Sequence, residues 1–181
     1  MTRQSACHNS PVFREGVRRI DSKLAERYAN HPALGGWHIS NEYCAVCYCE
    51  RCIAKFHDFL KQRYGTLENL NRAYWSAFWS HHFTDWTQVN PTDEAVDIAR
   101  LDWMRFTTEN IVDFMRMEKA AIRVFSDKPA STNMMGTFGP LDYWKIAAEC
   151  DFIGDDCYPD WYIGDVEREA ARFAFLHDMH Y

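Results

Sequence analysis

The sequence runs to 181 residues, enough for one domain with a substantial core, and 47% hydrophobic against 25% charged residues is the balance of an ordinary globular chain. A net charge of −6 without any Lys/Arg-rich block argues against a nucleic-acid backbone as partner, and no apolar run approaches the roughly 18 residues of a membrane span. Met1 is followed by polar residues and not by the apolar core of a signal peptide, so a cytoplasmic location is the expectation.

In chain order, the first predicted helix starts at Ser10, which supplies an N-cap ahead of Pro11 at the first helical position. Phe13, Val17, Ile20, Leu24 and Tyr28 then recur at helical spacing, and Asn30-His31-Pro32 ends the run. Residues 34–39, Leu-Gly-Gly-Trp-His-Ile, read as a short buried strand closed by the polar Ser40-Asn41-Glu42. A group of cysteines leads into a second helix with Ile53, Phe56, Leu60 and Tyr64 as its buried stripe and Gly65 as its stop. Thr66-Leu67-Glu68-Asn69-Leu70 opens another short helix. Residues 75–101 hold Trp75, Phe78, Trp79, Phe83 and Trp86 among polar residues and read as irregular. A long helix is predicted over 102–125, with Ile111, Phe114, Met115, Ile122 and Phe125 on one side. Residues 129–134 read as a second strand, 141–150 as a helix, 151–154 as a third strand followed by Asp155, Asp156 and Tyr158, and 164–177 as a final helix.

Strands alternating with helices imply a parallel sheet. A doubly wound sheet satisfies the alternation, but a polar and aromatic cluster at each strand end matches the catalytic face of a (β/α)8 barrel. A complete barrel needs about 250 residues and eight strands, and far fewer strands are read here. The expectation is an α/β fold, a partial (β/α)8 TIM barrel, in which residues 1–181 form an incomplete barrel domain with strands missing on both sides.

Two groups of residues carry chemistry. Asn41-Glu42 falls at the C-terminal end of a predicted barrel strand, where a carboxylate faces the pocket and a neighbouring amide can bond a sugar hydroxyl; a helix N-cap followed by an acidic first turn reads equally from the dipeptide alone. Cys47, Cys49 and Cys52 are spaced so that their thiolates can meet at one tetrahedral ion. The fourth ligand must be Cys44 or a distant residue, of which Cys7, ahead of Asn9-Ser10-Pro11, is the best placed. A redox pair or scattered buried thiols are the bland alternatives. With four thiolates and no open position, such a zinc is structural and not catalytic. Seven Trp, nine Tyr and twelve Phe supply either surfaces for stacking a pyranose or an aromatic core. Trp79, in the irregular aromatic stretch, and Tyr158, just beyond a strand end, are the candidates for the former.

Taken together, His31-Pro32-Ala33-Leu34, Trp37-His38, Asn41-Glu42-Tyr43 and Cys47-Tyr48-Cys49-x-x-Cys52 resemble the acid/base strand of glycoside hydrolase family 42, the β-galactosidases. The likeness continues through Arg63-Tyr64-Gly65-Thr66-Leu67, Ala77-Phe78-Trp79-Ser80, Leu101-Asp102-Trp103-x-Arg105-Phe106, Pro140-Leu141-Asp142-Tyr143-Trp144 and Asp156-x-Tyr158-Pro159-Asp160. The resemblance implies a retaining enzyme acting on terminal β-D-galactosides, with Glu42 as general acid/base at the end of barrel strand four. The nucleophile would come from strand seven, beyond this sequence, so these residues would span roughly strands 4–6 and the chain alone would be inactive. It also implies a zinc held by Cys7, Cys47, Cys49 and Cys52, substrate contacts from Asn41, Trp79 and Tyr158, and a homotrimer with Trp79 near the subunit boundary. Cys44 departs from the family, which commonly has Gly there, and stays a rival fourth ligand. A catalytically incomplete, zinc-stabilised carbohydrate-binding or scaffold fragment is the alternative reading.

Overall fold

The computed structural model describes residues 6–44, 46–92, 97–160, 162 and 165–180. Its elements, in order, are α1 (Pro11–Tyr28), β1 (Trp37–His38), α2 (Glu50–Tyr64), α3 (Leu67–Tyr74), α4 (Asp97–Arg123), β2 (Ala130–Ser131), β3 (Asn133–Met134), α5 (Tyr143–Ala147), β4 (Gly154–Asp155) and α6 (Val166–His180), with single 3-10 turns at Phe78–Ser80 and Trp86–Gln88. The chain divides into two compact units, one of Met1–Gly16 with Cys44–Phe114 and one of Val17–Tyr43 with Met115–Tyr181. No helix among the described residues is long and apolar enough to cross a membrane.

The first unit is helical and aromatic. Cys52, Phe56 and Leu60 of α2 face Leu70 and Tyr74 of α3 and Ala99, Trp103 and Phe106 of α4, with Phe83 and Val89 from the intervening loops. Phe56 meets Trp103 edge-on, at 5.0 Å between centroids and 80° between planes, an arrangement that places ring-edge hydrogens against the electron-rich face. One carboxylate is fully buried in this core. Asp102 accepts hydrogen bonds from Tyr64 (2.6 Å) and Tyr74 (3.0 Å) and pairs with Arg105 at 2.8 Å. A buried charge is tolerated only with such partners. Asn71 closes the loop after α3, donating to the Phe83 carbonyl (2.7 Å) and accepting the Phe83 N–H (2.8 Å).

The second unit holds the strands. β1 pairs in parallel with β2, Trp37 opposite Ala130, and β3 pairs in parallel with β4, Asn133 opposite Gly154. Residues 129–134 therefore lie between the other two strand segments, bonded to one side through Trp37 N–H to the Pro129 carbonyl (2.8 Å) and to the other through Asp156 N–H to the Met134 carbonyl (2.8 Å). The parallel pairing expected from the alternation is present, although the ladders are short. Gly36 allows the close approach: a Cβ there would stand 2.9 Å from the Pro129 carbonyl oxygen. Asp151 ties α4 to this sheet, accepting from Arg123 (2.5 Å) and from the Ala130 N–H (2.7 Å). The Ala130 N–H first, then Lys119 and the Arg123 charge, hold its carboxyl below the usual range.

The apolar stripe of α1 is covered only in part: Ile20 is 58% and Leu24 46% exposed, and only Ala25 of that helix is buried. Helical spacing creates an apolar stripe, but burial requires a neighbour: Phe13 at the start of the stripe stacks on Phe114 at 5.6 Å between centroids, whereas Ile20 and Leu24 stay exposed. Two expected helices have other bounds. α4 starts earlier than expected, because Asp97 suits the positive end of a helix and Ala99 already packs inward. It stops at Arg123, leaving Phe125 exposed. The helix expected over 141–150 is the short α5, capped by Asp142, whose side chain accepts the Trp144 N–H at 3.1 Å.

Candidate active-site turn and candidate metal centre

The cysteine cluster belongs to the first unit. Cys7 precedes α1, Cys47 lies in the loop just before α2, Cys49 is the N-cap of α2, and Cys52 sits buried in its first turn. The four sulfurs all lie within 4.8 Å of one another. The separations Cys7–Cys52 (3.4 Å), Cys7–Cys49 (3.6 Å) and Cys49–Cys52 (3.7 Å) are far too long for disulfides. They are close to the ~3.8 Å edge of a tetrahedron with zinc–sulfur bonds of about 2.3 Å. Asn9 supports the sulfurs, its backbone N–H donating to Cys7 and its side-chain amide to Cys52, each at 3.3 Å. Such donors favour thiolates and orient metal ligands. The Cys52 backbone N–H draws the Cys49 thiol down to about 7, while burial pushes Cys47 and Cys52 up. Four soft donors at these spacings fit a tetrahedral metal ion. Cys44, the rival fourth ligand, is outside the group.

Glu42 belongs to the second unit. After β1 the chain makes a tight turn in which Ser40 and Glu42 both take φ of 49°, a left-handed conformation that costs a non-glycine residue about 1–3 kcal/mol. The turn is held at several points. The Glu42 N–H donates to Asn133 Oδ1 at 2.8 Å, and Asn133 Nδ2 donates to Asp156 Oδ1, also at 2.8 Å. The backbone of Glu42 and the side chains of Asn133 and Asp156 are thus joined in one line. On the other side Ser40 Oγ donates to Glu118 Oε1 at 2.7 Å, and the Tyr43 hydroxyl donates to Glu118 Oε2. Glu118 is 3% exposed, and burial pushes its carboxyl up to about 7. Glu42, Asp156, Tyr158, Arg172 and Phe173 line a cleft of about 450 Å³. A second cavity in this unit, about 320 Å³, is lined by Met134, Phe138, Leu141 and Trp144 and by no carboxylate. The first cleft is therefore the candidate site for acid/base chemistry.

A sequence profile described as β-galactosidase, that of glycoside hydrolase family 42, matches residues 1–181. The chain belongs to glycoside hydrolase family 42. Similar curated proteins include the β-galactosidase BglY of Alicyclobacillus acidocaldarius, 43% identical over 98% of this chain and 27% of that protein, and the β-galactosidase GanA of Bacillus subtilis, 39% identical over 98% of this chain and 29% of that protein. Among solved structures, the cold-adapted β-galactosidase of Rahnella sp. R3 superposes with a TM-score of 0.91 at 45% identity, covering 95% of this chain and 26% of that one. The family 42 chain thus spans about a quarter of the length of its relatives.

The structure brings together some of the residues singled out in the sequence. Cys7, Cys47, Cys49 and Cys52 converge. Glu42 and Tyr158 share one cleft, with Tyr158 76% exposed at its margin. Asn41 is exposed in the turn and is not among the residues that line that cleft. The Trp79 side chain lies outside the described residues. Sequence reasoning missed Asn9, Asn133 and Glu118. Glu118 did leave a signal: it falls between Met115 and Ile122 on the buried side of α4, where an acid stands out against the apolar period.

Proposed function

We propose that this family 42 chain is the acid/base-bearing part of a retaining β-galactosidase that hydrolyses terminal β-D-galactosides. The observation that carries the proposal is the Glu42 turn, strained, pinned to Asn133 and opening on the cleft it shares with Asp156 and Tyr158. In this reading the three parallel strand segments are consecutive strands of a (β/α)8 barrel, roughly strands 4–6, and the nucleophile is contributed by another part of the protein. Supporting it are the family membership and relatives named β-galactosidase.

Glu42 first gives its proton to the glycosidic oxygen as the bond to the aglycone breaks. It then accepts a proton from the water that releases the galactosyl group from the nucleophile. Asn41, Trp79 and Tyr158 are proposed to contact the sugar. The four cysteines would hold zinc, whose full tetrahedral shell supplies a crosslink between the residues before α1 and the start of α2 and no open position for substrate. A homotrimer is the proposed assembly.

The test is Glu42→Gln in the complete enzyme. Amide for acid keeps shape but removes proton transfer, typically worth about 10²–10⁴-fold. Hydrolysis of a galactoside with a sugar leaving group should nearly stop, while an activated aryl galactoside, which leaves unaided, retains its glycosylation step. Azide, which needs no general base, should accelerate turnover and yield a β-galactosyl azide. Equal loss on both substrates without azide rescue would remove Glu42 from this role.

A further inference from the structure

Among the described residues, Glu118 is the buried carboxyl that bonds the Glu42 turn on two sides without any part in the chemistry proposed above. It lies in α4, far from the turn in sequence, on a stripe where Met115 and Ile122 are both buried. An apolar residue would serve packing there at less cost, since burying an acid is unfavourable unless its oxygens are bonded. Both oxygens are bonded, and both partners belong to the turn: Ser40 Oγ on one oxygen at 2.7 Å and the Tyr43 hydroxyl on the other. A carboxylate can accept from two hydroxyl donors at its two ends, which few other side chains do.

The two partners flank Glu42. Ser40 and Glu42 are the two left-handed residues of the turn, each with φ of 49°, and such conformations persist only where their surroundings over-determine them. Asn133 holds the backbone N–H of Glu42 itself. Glu118 fixes the residues on either side. A return of Glu42 to an ordinary negative φ would redirect its side chain away from the cleft that it lines with Asp156 and Tyr158.

Resting on the assignment of Glu42 as acid/base, we infer that Glu118 is the positioning residue of the reaction, clamping Ser40 and Tyr43 so that the strained turn presents the Glu42 carboxyl to the glycosidic oxygen. Burial pushes Glu118 up to about 7, with Asp21 of α1 adding to the effect; the charged form accepts from both hydroxyls, and the protonated form accepts from one and donates to the oxygen of the other.

The experiment compares Glu118→Ala, Glu118→Gln and Tyr43→Phe in the complete enzyme and in its Glu42→Gln variant. kcat and KM are measured on a galactoside with a sugar leaving group and on an activated aryl galactoside. Glu118→Ala should lower kcat on the first substrate about 10–100-fold, the scale of a misplaced catalytic group. KM should change little and the aryl substrate should suffer less. Glu118→Gln, which keeps an acceptor for one hydroxyl, should restore most of the loss. In the Glu42→Gln background, Glu118→Ala should add no further loss, because the group it positions is already disabled. Equal losses on both substrates, an undiminished loss in the Glu42→Gln background, or no restoration by Gln would each overturn the inference. Should Glu118→Ala not fold, Tyr43→Phe reads the same clamp by removing one hydroxyl: the same dependence on leaving group supports the inference, and its absence overturns it. Failure of the acid/base assignment is visible separately, in Glu42→Gln alone losing both substrates equally.

Discussion

The cysteine cluster and the Glu42 turn are built on opposite plans. Two cysteines of the cluster stand three positions apart at the start of one helix, and Cys47 lies just before them, so local geometry nearly assembles the site and only Cys7 comes from afar. The turn contains one carboxyl, and what shapes it arrives from long range: Ser40 and Glu118 are 78 positions apart, Glu42 and Asn133 are 91. A site of the first kind is visible as a spacing, and its failure is a failure of folding. One of the second kind is visible at most as a lone residue at a strand end, and it can lose function while the fold survives. Mutations that separate these two kinds of failure sharpen the comparison.

The largest effect is expected at the cluster. Structural zinc sites in small peptides bind with about 10–16 kcal/mol of apparent free energy at neutral pH, comparable with the total stability of a domain at about 5–15 kcal/mol. Cys52→Ser in the complete enzyme should therefore abolish bound zinc and expose α2 to hydrogen exchange. Cys7→Ser should behave alike, and Cys44→Ser should keep about one zinc per chain. Elemental analysis of the three variants checks this, and loss of zinc in Cys44→Ser with retention in Cys7→Ser would reverse the ligand assignment.

A smaller effect is expected at Asn133. Asn133→Ala removes the Asn133 bonds to the Glu42 N–H and to an Asp156 oxygen, and such a loss costs about 1–3 kcal/mol where the site stays dry. Activity should fall more than stability, with zinc content unchanged, as measured by kcat and by the melting temperature of the same preparation. A variant that loses zinc or unfolds before it loses activity would erase the distinction between the two regions.

The smallest expected effect is a pH dependence carried by Glu118 and Asp21. Burial pushes Glu118 up from 4.5 to about 7 and Asp21 up from 3.8 to about 6. Because the folded-state values lie above the unfolded ones, the native state holds protons that the unfolded chain has released. The stability these groups contribute is fully present below about pH 4 and is lost as pH rises through about 6–7. Replacing Glu118 by Gln removes its share, so the melting temperature between pH 5 and 8 should fall less steeply than in the parent. Parallel curves would show that Glu118 does not titrate in this window.

What the sequence by itself determined is what short-range physics encodes. The cap at Ser10-Pro11 started α1 where expected, Gly65 ended α2, the cysteine spacing marked a metal-type cluster, and strand-helix alternation implied parallel pairing. Each depends on residues close together in the chain, or on a period that survives without knowledge of neighbours. Which apolar stripe is covered was not of this kind: the α1 stripe and the α4 stripe look equally apolar, yet Ile20 and Leu24 are exposed while Ile111 and Met115 are fully buried. Only the tertiary structure decided that Cys7 and not Cys44 joins the cluster, since that depends on how the chain before α1 returns to the start of α2. The tertiary structure alone also decided that Glu118, an acid on an apolar stripe, faces Ser40 and Tyr43, because a hydrogen bond between side chains so far apart in sequence exists only once the helix and the strand end have been packed together.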